Sequence, residues 1–554
     1  MMKNFTLFLL LSFSFLSPLT AQRTVGLLSY DITQSYQGYT LIYPHNQPNV
    51  YLLNNCGEIV HTWEDEDDFR PGNTAYLMED GSLIKTKRES SVAQDPIWAG
   101  GGGAIVEIRS WDNTLQWSYE LNDSTGRLHH DIEPMPNGNI LMLAWELKTN
   151  EEAVAAGRDP STLNQTNMWP DYVFEINPEN DEIVWEWHAW DHLVQDFDDS
   201  KENFGVVSEQ PGRIDVNWDT NEGRADWMHS NALDFNPELN QVMISVPQFH
   251  EIWVIDHSTT TEQAAGSTGG RSNKGGDLLY RVGNQQAYKK GDADDQILFY
   301  QHDTHWTNEF LPSNHPFSGH MVCFNNRVGS NYSSIEIFEA PWSMYTSDYE
   351  MFNGTWPPYS FQNTITHPDS TRFYSTGLSS AQLLPNGNML SCSGRQGYII
   401  ELTPDNEIVW EYVTPLRRGQ QVNQGDSLSL NDNLTFRAFR YPPEYSAFDN
   451  RDLEGKGYLE LDPDDKFCDL ITSVNMPTQY EFGVYPNPAS NFIHLSWNTG
   501  EIIDIRVVDI YGRTRLEDKG NGGMKFLDTS QLEPNIYFVI IDNTWTKKVI
   551  LQRP

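Results

Sequence analysis

The chain has 554 residues, which exceeds the usual size of a single hydrophobic core, so we expect one large repeat-built domain and a smaller one. Its 36 Lys and Arg residues against 77 Asp and Glu residues give a formal net charge of -41 at pH 7, which repels phosphate backbones and anionic membrane surfaces. Nucleic acid is therefore not an expected partner, and an anionic ester would bind only where specific donors overcome the negative field of the whole chain.

The N-terminal residues have the pattern of a secretory signal peptide. Lys3 precedes an apolar run over residues 5–16, and the small residues Thr20 and Ala21 follow it. We therefore predict a cleaved signal peptide over residues 1–21. The apolar run is too short for an ordinary transmembrane helix, and no later stretch approaches about 20 apolar residues, so no membrane span is expected.

From about Gly38 to Pro415 the sequence is a succession of short strands separated by Pro, Asn, Gly and Asp turns. Sustained helical periodicity is almost absent, which is typical of an all-β domain. One theme recurs: a strand, a PNGN-like turn, a second strand and then a Trp-rich strand. For example, PNGNILML from Pro136 matches PNGNMLSC from Pro385.

This theme occurs six times and predicts a six-bladed β-propeller over residues 22–460, in which the first strand of each blade lines a central channel. The six units begin near Tyr39, Asn73, His129, His229, His302 and Ser379. After the last unit, the segment FRAFRYPPEY from Phe436 carries aromatic and arginine side chains that we expect to pack back onto the propeller.

Three units place a histidine at the start of their first strand. His130 and His229 each lie seven residues before a turn asparagine, and His302 opens the fifth unit in the same manner. In the sixth unit the equivalent residue is Ser379, so the fold does not require a histidine there. Because first strands face one channel in a propeller, we expect the three imidazoles to converge on one site.

Two chemistries could use three convergent imidazoles. With Asp131 or Asp303, they could hold a catalytic metal ion that keeps an open position for water. Asn231 lies two residues after His229, on the same strand face, and an amide is a poor ligand for a transition metal. An amide suits an anionic group better: one imidazole would attack sulfur or phosphorus while the others hold oxygens and donate protons, without a metal.

Four motifs surround these histidines. They are His130-Asp131-Ile132 with its PNGN turn, Asp226-Trp227-Met228-His229-Ser230-Asn231, Glu251-Ile252-Trp253-Val254-Ile255-Asp256 and Gln301-His302-Asp303. Together they resemble the bacterial arylsulfate sulfotransferases, and the resemblance spans roughly Gly38 to Tyr445. It implies a six-bladed propeller that moves a sulfuryl group from a phenolic sulfate ester to a phenol, with no cofactor and no adenylyl-sulfate donor.

Carried over residue by residue, the resemblance implies that His302 is the nucleophile and forms a transient sulfohistidine. His130, His229 and Asn231 would bind the sulfuryl oxygens and handle the proton of the phenolic oxygen. Asp303 would either orient the ring of His302 or cap the strand. The donor phenol should leave before the acceptor phenol enters, which gives ping-pong kinetics.

The chain departs from the family where an arginine usually clamps the sulfate, because Pro247 and Gln248 stand at that place. Arg395, at the matching distance beyond the PNGN turn of the sixth unit, is predicted to bind the substrate from another blade. Arg327 is a weaker candidate, and His250 could donate a hydrogen bond instead.

Two other functions stay open on the sequence alone. A non-catalytic propeller that binds a sulfated glycan or an aromatic ligand is favoured by the absent arginine. A metal-dependent hydrolase or lyase could use the same histidines. In any of these functions, Trp227 or Trp306 could stack on an aryl ring or could simply pack within the blades.

The C-terminal residues 481–554 are predicted to form a small β-sandwich after a linker over residues 461–480. The module contains Tyr485-Pro486-Asn487-Pro488-Ala489, Asp509-Ile510-Tyr511-Gly512-Arg513, Ile536-Tyr537-Phe538 and Lys547-Lys548-Val549. This combination resembles the C-terminal sorting domains of the type IX secretion system, with a carbohydrate-binding sandwich as the alternative. The resemblance implies that the type IX machinery is a partner and that the protein is secreted or held at the outer cell surface.

Overall fold

The structure is a computed structural model that describes residues 23–307, 311–464, 466–468, 482–485, 487–497, 503–510, 513–520, 524–541 and 545–552. The predicted signal peptide and most of the predicted linker lie outside the described residues. Contacts divide the chain into two compact units, Met1–Asp464 and Asp465–Pro554. Among the described residues, no helix has both the length and the apolar character needed to cross a membrane.

Six antiparallel sheets follow one another in the described part of the first unit, and we number them in order around the unit. From the inner strand outward they are sheet 1 (Thr435–Tyr441, Tyr39–Pro44, Val50–Leu53, Ile59–Trp63), sheet 2 (Phe69–Leu77, Leu83–Glu89, Ile105–Arg109, Leu115–Glu120), sheet 3 (Gly126–Pro134, Ile140–Glu146, Asp171–Asn177, Glu182–His188), sheet 4 (Ala232–Asn236, Gln241–Val246, Glu251–Asp256, Tyr280–Val282), sheet 5 (His302–Trp306, Met321–Asn325, Ser334–Phe338, Asn363–Ile365) and sheet 6 (Ser380–Leu383, Met389–Ser393, Tyr398–Leu402, Ile408–Val413, Gly26–Tyr30).

Shorter elements fill the connections. The described residues include four two-stranded pairs, Lys148–Thr149 with Asn167–Met168, Leu193–Val194 with Ile214–Asp215, Trp342–Ser343 with Asp348–Tyr349, and Leu416–Arg417 with Gln420–Gln421. The α-helices described among these connections are Asn150–Ala155 and Thr261–Ala264. The 3₁₀ helices are Pro160–Thr162, Ala189–His192, Val207–Glu209, Gln285–Tyr288, Ala293–Asp295, Ser370–Phe373, Gly394–Gln396 and Ser446–Phe448.

The inner strands contact one another in order from sheet 1 to sheet 6, and the inner strand of sheet 6 contacts that of sheet 1. Two distant parts of the chain complete this cycle. Thr435–Tyr441 pairs with Tyr39–Pro44 as the inner strand of sheet 1. Gly26–Tyr30 pairs with Ile408–Val413 at the outer edge of sheet 6. The segment from Phe436 is therefore a strand of the sheet itself, and the unit predicted to start near Tyr39 starts with residues from far along the chain.

Apolar side chains of neighbouring sheets pack against each other. Leu141 and Val173 of sheet 3, for instance, share one buried cluster with Leu233 and Val242 of sheet 4. Each such buried side chain contributes about 1.5–3 kcal/mol of transfer free energy. This packing explains the apolar run ILMLAW in the second strand of sheet 3.

The inner strands of sheets 2, 3 and 5 are interrupted by irregular pairing. In sheet 3, Leu128 pairs with Ala144 and Ile132 with Met142, so three residues of the inner strand lie opposite one residue of its neighbour. His130 within this bulge has a left-handed backbone, with φ of 51°. Bulges re-aim side chains and are frequent beside functional sites. The bulge thus determines where the His130 ring lies.

The second unit contains two antiparallel sheets among its described residues. One has the order Phe482–Tyr485, Phe492–Trp497, Met524–Asp528, and the other has the order Thr514–Gly520, Ile503–Asp509, Ile536–Ile541, Trp545–Ile550. Ile493 and Leu495 of the first sheet share a buried cluster with Ile505 and Val539 of the second. The two sheets therefore have one common hydrophobic core.

Candidate active site

His302 opens the inner strand of sheet 5 and is 2% exposed. Its Nδ1 lies 2.8 Å from Asn326 Oδ1 and 3.2 Å from the carbonyl oxygen of Tyr300. Both of these partners are acceptors, so Nδ1 carries the hydrogen. Nε2 has no hydrogen-bond partner among the described residues and is not one of the buried orphan atoms, so its lone pair faces the open side of the site.

The side-chain amide of Asn326 is itself held in one orientation. Its Nδ2 donates to the carbonyl oxygens of Ser375 at 3.0 Å and Leu378 at 2.9 Å. The amide oxygen must therefore face His302, because the amide nitrogen is committed to the opposite side. Sequence reasoning missed Asn326, although it lies in the segment CFNN that follows the His302 strand.

The electrostatic environment keeps His302 neutral. Burial lowers the pKa of His302 to about 3, the hydrogen bond to Asn326 opposes this change, and the nearby His229 lowers the pKa further. A neutral imidazole with hydrogen on Nδ1 is a nucleophile at Nε2. The geometry and the charge state thus make His302 competent for attack on an electrophile.

His229 has the opposite environment. Although burial alone would lower the pKa of His229, the Asp226 carboxylate beside it raises the pKa above its ordinary value. Nδ1 of His229 lies 2.6 Å from Asp226 Oδ2. This pair favours the imidazolium form, whose other N–H can serve as an acid. Two imidazoles whose pKa values are pushed apart are the usual arrangement of a nucleophile or base with a general acid.

His130 lies directly against His229, with ring centroids 4.6 Å apart at an interplanar angle of 78°. Burial, followed by the charge of His229, keeps the pKa of His130 well below its ordinary value. Its Nδ1 lies 2.9 Å from His129 Nδ1, and His129 Nε2 lies 3.4 Å from Asp171 Oδ1. When His129 carries its hydrogen on the nitrogen facing Asp171, His130 donates from Nδ1 and has an acceptor at Nε2.

Tyr300 connects His229 with His302. Its ring centroid is 6.2 Å from that of His229 and 5.8 Å from that of His302. The backbone N–H of Tyr300 donates to His250 Nδ1 at 3.0 Å. Nδ1 of His250 is therefore an acceptor that holds the Tyr300 backbone, which leaves the ring hydrogen on Nε2.

Two arginines border the site near His302. The Arg327 guanidinium lies 3.6 Å from the centroid of the Tyr300 ring, and its Nε donates to the carbonyl oxygen of Thr376. Arg395 is half-buried, and its Nη1 lies 3.2 Å from Asn431 Oδ1. A Cβ at Gly377 would lie 3.4 Å from Arg395 Nη2 and 3.8 Å from His302 Cε1. Arg395 and His302 thus both lie close to Gly377.

Asn231 is fully buried, and its Nδ2 donates to the carbonyl oxygen of Gln301 at 2.8 Å. Its Oδ1 has no hydrogen-bond partner among the described residues. One amide N–H of Asn231 is therefore committed to the strand that carries His302, and one is left for another acceptor.

Asp131 and Asp303, considered as metal ligands or as an orienting group, are both occupied elsewhere. Arg437 Nη2 lies 2.9 Å from Asp131 Oδ2, and Arg437 Nε lies 2.6 Å from Asp303 Oδ1. Asp303 also accepts from the backbone N–H of Ala381 at 2.9 Å. Across the part of the chain that the structure describes, no three His, Cys, Asp or Glu side chains are grouped to hold a metal ion.

Trp227 and Trp306 pack between sheets. Trp227 is 2% exposed, and its Nε1 donates to the carbonyl oxygen of Trp218 at 2.7 Å. Trp306 is 6% exposed and belongs to a buried apolar cluster. Their aromatic faces are therefore used by the hydrophobic core.

His45, which the sequence pattern does not distinguish, contributes to the same surroundings. Burial lowers the pKa of His45 to about 4, and Arg88 and Arg395 add to the effect. Its Nε2 is buried without a hydrogen-bond partner in the described part of the chain. Because it lies outside the repeated histidine position, no sequence signal could have assigned it to the site.

The solved structures that match this chain have low similarity to it. A protein of unknown function from Bacteroides caccae has 10% identity and a TM-score of 0.36, with 68% of this chain and 94% of that one covered. Virginiamycin B lyase from Staphylococcus aureus has 10% identity and a TM-score of 0.30, with 71% and 90% covered. TM-scores this low establish no relationship. No curated protein matches the chain.

Two parts of the chain match known protein families. Residues 483–552 match the secretion system C-terminal sorting domain, which directs proteins to the type IX system, so the protein is secreted or held at the cell surface. Residues 33–413 match the arylsulfotransferase (ASST) family, which confirms the resemblance seen in the motifs around the histidines. The chain therefore belongs to the arylsulfotransferase family.

Proposed function

We propose that this protein is an exported aryl-sulfate sulfotransferase that moves a sulfuryl group from a phenolic sulfate ester to a phenol through a sulfohistidine on His302. The observation that carries the proposal is the hydrogen bonding of His302, whose Nδ1 is held by Asn326 and Tyr300 while Nε2 stays free. Membership of the arylsulfotransferase family supports the reaction class.

In the first half-reaction, His302 Nε2 attacks the ester sulfur, the N–S bond forms, and the bond between sulfur and the aryl oxygen breaks. The leaving oxygen takes the proton of His229, whose imidazolium form Asp226 stabilises. The first phenol then departs. In the second half-reaction, the oxygen of the acceptor phenol attacks sulfur, its proton returns to His229, and the N–S bond breaks.

His130 is the second member of this proton-handling group in our proposal, because its ring lies against His229 and its Nε2 is an acceptor when His129 carries its hydrogen on Nε2. Asn231 offers its remaining amide N–H to a sulfuryl oxygen. Arg395 supplies the positive charge that the missing clamp arginine would otherwise provide, and its position close to Gly377, as His302 also is, supports this role. Arg327 adds charge on the other side of Tyr300.

We also propose that the six sheets are the blades of a six-bladed β-propeller. The cyclic order of contacts between the inner strands supports this architecture, as does the completion of sheets 1 and 6 by distant parts of the chain. In such a fold, the inner strands of sheets 3, 4 and 5 line one funnel, and His130, His229 and His302 lie within, just before and at the start of those strands.

The test is transfer from an aryl sulfate to a phenol with wild-type protein, with His302→Ala and with His305→Ala, each with and without a chelator. His305 is the matched control, because it lies on the same strand and its Nδ1 contacts Asp303, at 3.1 Å from the carbonyl oxygen and 3.9 Å from Oδ2. We expect His302→Ala to abolish transfer, His305→Ala to retain it, and the chelator to have no effect. Transfer lost with the chelator would indicate the metal-dependent alternative, and binding without turnover would indicate the non-catalytic one.

A further inference from the structure

Arg437 lies in the inner strand of sheet 1, beyond the residues that match the family, and takes part in a cluster of buried charges. Its Nη2 lies 2.9 Å from Asp131 Oδ2 and its Nε lies 2.6 Å from Asp303 Oδ1. Tyr76 joins the cluster by hydrogen bonds to Arg437 and to Asp131 Oδ1. We call these four residues, Tyr76, Asp131, Asp303 and Arg437, the arginine cluster.

The arginine cluster connects all six sheets that the structure describes in the first unit. Arg437 belongs to sheet 1, Tyr76 to sheet 2, Asp131 to sheet 3 and Asp303 to sheet 5. Asp131 Oδ2 also accepts from the backbone N–H of Leu233 in sheet 4, and Asp303 Oδ2 accepts from that of Ala381 in sheet 6. The relative positions of the inner strands thus depend on one guanidinium group.

Both carboxylates of the cluster are next in sequence to a histidine of the site: Asp131 follows His130, and Asp303 follows His302. The backbone is left-handed at His130, with φ of 51°, and at Asp303, with φ of 55°. A residue other than glycine keeps such a conformation only when surrounding contacts hold it there. The two ion pairs of Arg437 are such contacts.

We propose that Arg437 is a positioning residue of the transfer site, which holds the backbone segments of His130 and His302 at their working separation through Asp131 and Asp303. The proposal rests on the proposed function of these two histidines. Arg437 does not touch the reacting atoms in this account. The planar shape of the guanidinium matters, because its separate nitrogens can reach two carboxylates at once, whereas an ammonium is a single point of charge.

The test compares Arg437→Met and Arg437→Lys with Arg440→Met. Arg440 is the matched control, because it lies on the same strand, is fully buried and pairs with Glu401, away from the histidines. We expect Arg437→Met to lower kcat of the folded protein by about 100-fold, because small misplacements of reacting groups have effects of that size. Arg437→Lys should restore part of kcat, and Arg440→Met should lower only stability.

A second readout does not depend on activity. The ring nitrogen resonances of His130 and His302, followed by NMR, should shift in Arg437→Met and stay in place in Arg440→Met. Equal losses of kcat in the two Met variants, or unchanged histidine resonances in Arg437→Met, would overturn the proposal. A wild-type protein that transfers nothing would instead refute the proposed function, and the resonances would still decide the role of Arg437. If Arg437→Met does not fold, Arg437→Lys provides the same comparison.

Discussion

At the residue scale, the chemistry of His302 depends on which ring nitrogen carries the hydrogen. Asn326→Ala removes the nearer of the two acceptors that fix the hydrogen on Nδ1 and leaves only the longer contact to the Tyr300 carbonyl oxygen, so the other tautomer, with no lone pair on Nε2, becomes more accessible. We expect kcat for sulfuryl transfer to fall by at least about 100-fold, as other losses of orientation at a reacting group do. Steady-state rates with an aryl sulfate and a phenol measure this effect.

The control for this variant is Asn325→Ala. Asn325 is also buried, but its amide bonds to the backbone of Ile297 and Phe299 and does not contact His302. Its loss should reduce stability and leave the rate of each folded molecule unchanged. Similar rates for the two variants would show that the Asn326 contact does not determine the reactive nitrogen.

The two half-reactions should respond to pH in opposite directions. The donor reaction needs neutral His302, whose pKa is lowered to about 3, and protonated His229, whose pKa is raised. Its kcat/KM should therefore stay high above pH 3 and fall as the pH rises through the pKa of His229. The acceptor reaction needs the neutral His229 left by the first step, so its kcat/KM should rise over that same range.

Asp226→Asn tests the assignment of His229 as the proton donor. Without the carboxylate, the pKa of His229 should fall, because burial is then unopposed by a negative charge. The alkaline limb of the donor profile should move to lower pH. An unchanged limb in this variant would remove His229 from the role of proton donor.

At the element scale, two features together fix the position of His130: the bulge in sheet 3 and the glycine loop before it. The carbonyl oxygen of Gly101 accepts the backbone N–H of His130 at 2.8 Å. Gly101 has φ of +82°, and a Cβ there would lie 1.9 Å from His130 Nε2. Gly101→Ala should therefore displace the ring and reduce transfer by about 100-fold, because both the backbone and the space exclude a side chain.

Gly100→Ala is the matched control, because a Cβ at Gly100 meets no atom within 4 Å. It should leave both the rate and the thermal stability close to those of the wild-type protein. Rates measured side by side test the claim. If Gly101→Ala kept wild-type activity, the position of His130 would not matter for transfer.

The sequence predicted the positions of the strands better than it predicted which distant strands pair with each other. Alternating patterns and PNGN turns located the strands, because period-2 burial and the left-handed glycines Gly138 and Gly387 are local properties. The pairing of Thr435–Tyr441 with Tyr39–Pro44 joins residues almost 400 apart and has no local signal. The bulge that turns His130 toward His229 is likewise set by contacts between strands, as are the partners of His302 and of Asp303.

At the scale of the whole molecule, a net charge of -41 opposes an anionic donor, so local cations must bind it. Arg395→Gln should raise KM for the aryl sulfate by roughly 10- to 100-fold, as expected for a lost hydrogen bond to a charged group of about 1.5–3 kcal/mol. KM from initial rates measures this change. Arg418→Gln is the control, because the Arg418 side chain is 82% exposed. An equal rise in KM in this variant would show that the net charge of the whole chain, and not a local contact of Arg395, controls donor binding.

The central claim is that the sulfuryl group passes through His302, and the most direct measurement is mass spectrometry of the protein after incubation with an aryl sulfate and no phenol acceptor. The account predicts one added SO3 group on the peptide that contains His302, absent from His302→Ala and removed when a phenol is added. Transfer that proceeds with no added group, or with the group on another residue, would contradict it.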